Sequence, residues 1–213
     1  MTAKTHRHCQ RAKPLLALLA AATLVTTLPG CAAFVIGGAF VGGAMVVTDR
    51  RTSGAQIDDQ AIELRANSRV GELLGDRGHV SVTSYNRLVL LTGEVPTEAD
   101  KAAAEQTASK VESVRSVVND LGVTGLSSLS SRSYDSFLSG KVKTSLIDAK
   151  DILANAFKVV TERGTVYLMG RVSEREAQRA SDVARGVPGV QKVVRVFELL
   201  TEAELAALPK AAK

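Results

Sequence analysis

Two stretches of this chain have the same shape. VLLTGEVP runs from Val89 to Pro96, and VYLMGRVS runs from Val166 to Ser173, 77 positions later. Each is an apolar run, one glycine, a charge, a valine and then a residue that opens a helix. A supersecondary unit used twice restricts the chain to a tandem fold, and the flanking sequence repeats too. The first unit opens near Ile57 with a helix whose apolar positions are Ile62, Ala66, Val70 and Leu73 or Leu74, spaced by three or four. Asp58 and Asp59 read as its caps. HVSVTSY alternates as a half-buried strand. LVLLTG is a more fully apolar strand, PTEADKAAAEQTASKV is a helix, and RSVVNDLGV closes with a strand. In the second unit YDSFLSGKVKTSLIDA carries Leu138, Val142, Leu146 and Ala149 on one face. AFKVVT and TVYLMG follow as strands, then a helix whose Ser173 and Glu176 have capping-box spacing. PGVQKVVRVFELL ends the unit. Gly93, Gly170 and Gly189 read as structural turns.

Each unit is thus α-β-β-α-β. A hairpin and a right-handed crossover give a three-stranded mixed sheet packed on two helices, an α+β fold. The expected boundaries are 57–125 for the first domain and 133–200 for the second. Residues 126–132 form a serine-rich linker, and 201–213 form a tail. Units this small bury limited area alone. The two therefore have a reason to pack together, which the sequence leaves open.

Residues 1–30 read as a secretory leader. Lys4, Arg7, Arg11 and Lys13 form a basic start, Pro14 to Leu28 an apolar stretch, and LPGC follows. LPGC resembles the lipobox of bacterial lipoproteins, with Pro29 where Ala or Ser is usual. That resemblance implies lipidation at Cys31, which becomes the first residue of the mature chain. An uncleaved anchor with an incidental cysteine is the other reading. Ala32 and Ala33 follow, without the aspartate that holds such proteins in the inner membrane, so the resemblance implies export to the outer membrane. The apolar stretch 32–47 is short of the roughly twenty residues a spanning helix needs. It reads as a membrane-proximal tether, with Thr48 to Gln56 as a polar linker, so that 31–56 joins the lipid to the first domain.

The whole chain has 27 Lys+Arg against 22 Asp+Glu. Four of the basic residues lie in the leader, leaving 23 against 22, or +1. The basic balance is a leader effect and argues for no nucleic acid partner. With Cys9 removed and Cys31 acylated, no thiol remains for a disulfide, a metal or a nucleophile. His79 is the remaining histidine, and it reads as an ordinary strand residue. The linear sequence shows no catalytic group, no metal-spaced cluster and no phosphate loop, so no enzyme, metal or cofactor is expected.

The pattern of Val166, Leu168, Gly170 and Val172 with Val187, Gly189, Val190 and Val193 resembles the BON domain. The first copy matches with Val89, Leu91, Gly93 and Val95, then Val111, Val114 and Val117; it has Ser113 where glycine is usual. Two copies behind a lipobox resemble the dual-BON outer-membrane lipoproteins. That resemblance implies a body facing the periplasm and binding without chemistry. It implies contact with anionic phospholipid of the phosphatidylglycerol kind through the second domain, support of envelope integrity, and a place at the division site. A protein-interaction adaptor, acting on division or cell-wall enzymes through envelope protein partners, is the competing expectation.

The residues can be asked whether they suit a lipid surface. Residues 57–125 carry 7 basic and 11 acidic side chains, net −4, and 133–200 carry 11 and 8, net +3. An anionic surface attracts the second unit and repels the first, although small imbalances are common on solvated faces. Phe137 lies about 100° around the helix from Leu138, with Lys141 one turn on and Lys143 nearby. Phe137, Leu138, Lys141 and Lys143 have the composition of an interfacial anchor; the alternative places Phe137 in a groove between domains. Arg171, Arg175 and Arg179 recur at four-residue spacing, with Arg185 beyond, and read as a solvated, ion-paired face. Tyr134 and Tyr167 read as packing residues.

Overall fold

The computed structural model of the chain describes residues 49–208. The leader, Cys31, the tether and the last five residues lie outside them. The first domain runs α1 (Ser53–Leu74), β1 (His79–Tyr85), β2 (Leu88–Val95), α2 (Glu98–Ser109), β3 (Ser116–Asn119) and β4 (Gly122–Val123). The second runs α3 (Leu129–Asp148), β5 (Phe157–Glu162), β6 (Thr165–Val172), α4 (Glu174–Arg185) and β7 (Lys192–Leu199), followed by a short α5 (Glu202–Ala207). In each, a hairpin is antiparallel and the last strand lies parallel to the middle one. The closing strand of the first domain is broken at Asp120–Leu121 and resumes as β4 beside β2 in the same register.

The repeat extends to single core positions. Ile62, Ala66 and Val70 of α1 match Leu138, Val142 and Leu146 of α3, each pair 76 residues apart, and all six are essentially inaccessible. Each set packs on the same face of its own sheet, with the alanines of the second helix completing the core: Ala104 and Ala108 in one domain, Ala177, Ala180 and Ala184 in the other. Small residues let that helix lie close to the sheet.

Several boundaries differ from the sequence reading. Helix α1 starts at Ser53, capped by Thr52, within the segment expected as linker. Likewise α3 starts at Leu129, capped by Ser128, inside the expected serine-rich joint. Serine suits an N-cap because its oxygen satisfies a free helix N–H. The expected tail contains α5, with a capping box between Thr201 and Glu204.

Asp59 does not cap a helix. It is buried in mid-helix and accepts hydrogen bonds from the backbone N–H of Asn86 and Arg87, both at 2.7 Å, and from Ser84 Oγ at 2.7 Å. Its repeat partner Asp135 accepts from the N–H of Arg163 (2.8 Å) and Gly164 (2.9 Å). Both hairpin turns have two central residues with positive φ: 50° and 66° for Asn86 and Arg87, 49° and 70° for Arg163 and Gly164. Such turns match the twist of the flanking strands but strain residues other than glycine. A buried carboxylate aimed at both N–H groups holds each turn in place.

Gly93 and Gly170 are not turns into helices, as the sequence suggested. They sit inside β2 and β6, where the incoming chain crosses closely. A Cβ on Gly93 would overlap the carbonyl of His79, and one on Gly170 would come 2.5 Å from the carbonyl of Ala156. Gly189 lies in the loop between α4 and β7 with φ 107°, and its counterpart Ser113 takes φ 69° without being glycine.

The two sheets pack against each other on the faces that the helices leave bare. Tyr85, Leu90, Tyr167, Met169 and Val196 form a buried third cluster there, flanked by Leu88, Val118, Val160 and Val194. The order of layers is helices, sheet, sheet, helices. This explains why β2 and β6 lack polar alternation: both faces of a middle strand are covered.

Candidate functional site

Helix α3 presents one side to the core and the other to solvent. Phe137 is 63% exposed and Tyr134 is 51% exposed, with ring centroids 6.4 Å apart. Tyr134 is therefore not the buried packing residue expected. The Lys141 ammonium lies 5.8 Å from the Phe137 ring centroid and donates to the carbonyl of Pro188 at 2.7 Å. Phe137, Gly140, Lys141, Thr144, Val187 and Pro188 line an open groove of about 520 Å³.

The other two residues of the expected lipid-contact group are elsewhere. Leu138 is fully buried in the second core, since one residue along a helix turns about 100° and brings it onto the face of Val142 and Leu146. Lys143 falls beyond the core on the opposite flank. Its ammonium donates to the carbonyls of Ala154 (2.6 Å) and Phe157 (3.0 Å), and burial pushes its pKa down. It ties the helix to the start of β5 and is not free to meet a headgroup.

The arginine series is divided as well. Arg171 lies on β6, before the helix, and pairs with Glu198 at 3.3 Å. Arg179 pairs with Asp151 and Arg185 with Asp182. Tyr167 is buried between the sheets, and its hydroxyl donates to Asp120 at 2.8 Å.

A second constellation sits at one end of the inter-sheet cluster. His79 and Glu94 face each other across β1 and β2, and Glu162 reaches them from β5 of the other domain. Ligand atoms of the three lie within 4.8 Å of one another. Glu94 is fully buried; its Oε2 accepts from Ser127 Oγ at 3.2 Å and lies 3.6 Å from His79 Nδ1, while Oε1 has no hydrogen-bond partner among the described residues and faces Arg163 Nε at 3.9 Å. Burial pushes the Glu162 carboxyl up to about 7, and the neighbouring charges of Glu94 and Asp135 push the same way. Burial and then the charge of Arg132 hold the His79 imidazole below its ordinary value. Linear spacing could not show this group, because its members come from three strands of two domains.

The segment before α1 is also not a free linker. Arg50 binds both carboxylate oxygens of Glu176 (2.7 and 2.8 Å) and the carbonyl of Arg171. Arg51 binds Asp59 at 2.8 Å, and its guanidinium lies 4.2 Å from the centroid of the Tyr85 ring.

Comparison with known proteins places this architecture. The BON domain matches twice, over residues 58–125 and 134–201. A protein of Haemophilus influenzae named outer membrane lipoprotein DolP is 40% identical over 187 residues, covering 87% of this chain and 95% of that one. The 21 kDa hemolysin of Actinobacillus pleuropneumoniae is 33% identical, covering 70% and 78% of the two chains. The osmotically-inducible protein Y of Escherichia coli is 30% identical, covering 71% and 77%. The repeated fold, the double match and the length of the similarity agree: this chain belongs to the BON-domain family, as a two-domain member similar to DolP.

Proposed function

We propose that this protein is an outer-membrane lipoprotein, anchored by lipid at Cys31 with its body in the periplasm, whose second BON domain docks on anionic phospholipid and supports envelope integrity. The observation that carries the reading is the solvent face of α3. Phe137 and Tyr134 stand exposed beside Lys141, at the edge of a groove floored by Val187 and Pro188. An exposed ring next to an ammonium is a workable interfacial contact: the ring enters the headgroup layer and the ammonium meets phosphate. The contact set is Phe137, Tyr134 and Lys141, without Leu138 or Lys143. The net charge of +3 on residues 133–200 works in the same direction. The activity is binding, with no chemical step.

A second reading, an adaptor for envelope proteins such as those of division or wall synthesis, rests on a different surface. Ile57 and Leu64 of α1 are 66% and 74% exposed, two turns apart on the acidic first domain.

The test is co-flotation of the lipid-free 46–213 fragment, one compact unit holding both cores, with liposomes containing or lacking phosphatidylglycerol. Binding is expected to need the anionic lipid and to fall at least tenfold with Phe137→Ala or Lys141→Glu. Equal binding by wild type and both variants, or none to either liposome, overturns the lipid reading and favours the α1 surface.

A further inference from the structure

We propose that His79, Glu94 and Glu162 form a divalent transition-metal site, of the kind zinc occupies, that clips the two BON domains together. Three observations carry it. One donor atom from each of the three side chains lies within 4.8 Å of the others, and a shared ion would draw each to about 2.0–2.2 Å from its centre. Two atoms of these side chains, His79 Nδ1 and Glu94 Oε1, are buried without a hydrogen-bond partner among the described residues, His79 Nδ1 standing 3.6 Å from Glu94 Oε2, and the Glu94 side chain is wholly inaccessible. Buried polar atoms are nearly always satisfied, so two orphaned atoms within one compact group of donors mark a place for a ligand. The third observation is position: the His79 side chain keeps 29% of its surface exposed, so the cluster lies close to solvent although His79 Nδ1 and Glu94 Oε1 themselves are covered.

The donor set selects the ion. One imidazole nitrogen with two carboxylates suits zinc and its neighbours, with a fourth position left for water. Calcium and magnesium prefer oxygen donors alone and six or more ligands. Arg163 comes no nearer to Glu94 than 3.9 Å, outside hydrogen-bond range, and its guanidinium packs on Gly122. It balances part of the charge of the two carboxylates. Glu94 is oriented by Ser127 Oγ at 3.2 Å, the outer support that a ligand carboxylate needs.

Because His79 and Glu94 belong to the first domain and Glu162 to the second, the metal would act across the domain interface. The test uses the 46–213 fragment after treatment with a chelator. In that fragment His79 is the single histidine and cysteine is absent, so soft donors elsewhere do not compete. Calorimetric titration with zinc chloride should show one site per chain. The thermal midpoint should rise with each tenfold of zinc and stay unmoved by magnesium chloride. Cobalt chloride should give the visible absorption of a four- or five-coordinate ion. Loss of an outer-sphere partner weakens metal sites about 10–100-fold, so His79→Ala and the isosteric Glu162→Gln should weaken binding at least that far. Circular dichroism in chelator verifies that each variant folds, and Glu162→Gln serves if His79→Ala does not. Absence of heat and of stabilisation by zinc overturns the proposal. So does zinc binding that survives Glu162→Gln unchanged, because the site would then not bridge the domains.

Discussion

Asp59→Ala tests the claim that a buried carboxylate holds the first hairpin turn. The carboxylate receives two backbone N–H groups, a serine hydroxyl and an arginine, all between 2.7 and 2.8 Å. Hydrogen bonds to a charged partner contribute about 1.5–3 kcal/mol each. Loss of the two N–H bonds alone is worth about 3–6 kcal/mol, and water recovers part of this as the turn loosens. The expected cost is about 3–5 kcal/mol, a large share of the roughly 5–15 kcal/mol that domains have. Asp135→Ala removes two bonds of 2.8 and 2.9 Å from the second turn and should cost less, about 2–4 kcal/mol. Asp58→Ala is the internal control. Asp58 is one residue away but only half-buried, bonded to Arg87 at the surface, and worth under about 1 kcal/mol. Urea unfolding followed by circular dichroism reads all three, with midpoint shifts of about 1–3 M expected for Asp59→Ala at ordinary slopes. A loss under about 1 kcal/mol for Asp59→Ala, or one no larger than that for Asp58→Ala, would refute the latch.

Four further outcomes follow from the packing and from one ion pair. Gly93→Ala should unfold the first domain or cost over about 3 kcal/mol, because its Cβ meets the His79 carbonyl at φ 115°. Gly71→Ala, on α1 with open space around it, should stabilise by about 0.5–1 kcal/mol in the same urea assay. Leu138→Ala should cost about 2–5 kcal/mol, whereas Phe137→Ala on the neighbouring position should change stability by under about 1 kcal/mol; thermal melts separate them. Burial alone would push the Glu176 carboxyl up, but Arg50 and the Ser173 N–H outweigh it and hold its pKa below the ordinary 4.5. The stability it contributes is present above that value and is lost as pH falls through the folded pKa. Glu176→Gln should therefore flatten the acid limb of a stability–pH profile, and an unchanged acid limb would count against the pairing with Arg50.

The repeat was legible because its core positions follow helix and strand periods, and those periods depend on local geometry alone. Ile62, Ala66 and Val70 declare their helix face, as do Leu138, Val142 and Leu146. The capping box at Ser173 and Glu176 is equally local, and it is present. What the sequence hid was long-range. Asp59 looks like a helix cap from its neighbours, and only the returning hairpin shows its true partners. Gly93 looks like a turn residue, and only the crossing of His79 shows the contact that requires it. Lys143 and Lys141 differ by two positions and read alike, yet 200° of helical rotation sends one to backbone carbonyls and the other to the groove. His79, Glu94 and Glu162 meet only because two sheets stack, and linear spacing has no period for that.

Arg50 and Arg51 have a mechanical consequence. A pull arriving along the chain from the N-terminal side enters the folded body at these two residues. Arg50 hands it to Glu176 and the Arg171 carbonyl in the second domain, and Arg51 hands it to Asp59 in the first. Adjacent residues thus share the load between two domains in parallel. Tension cannot peel α1 away turn by turn until both guanidinium clamps have sheared, so the body resists such a pull as one object instead of as two beads on a string.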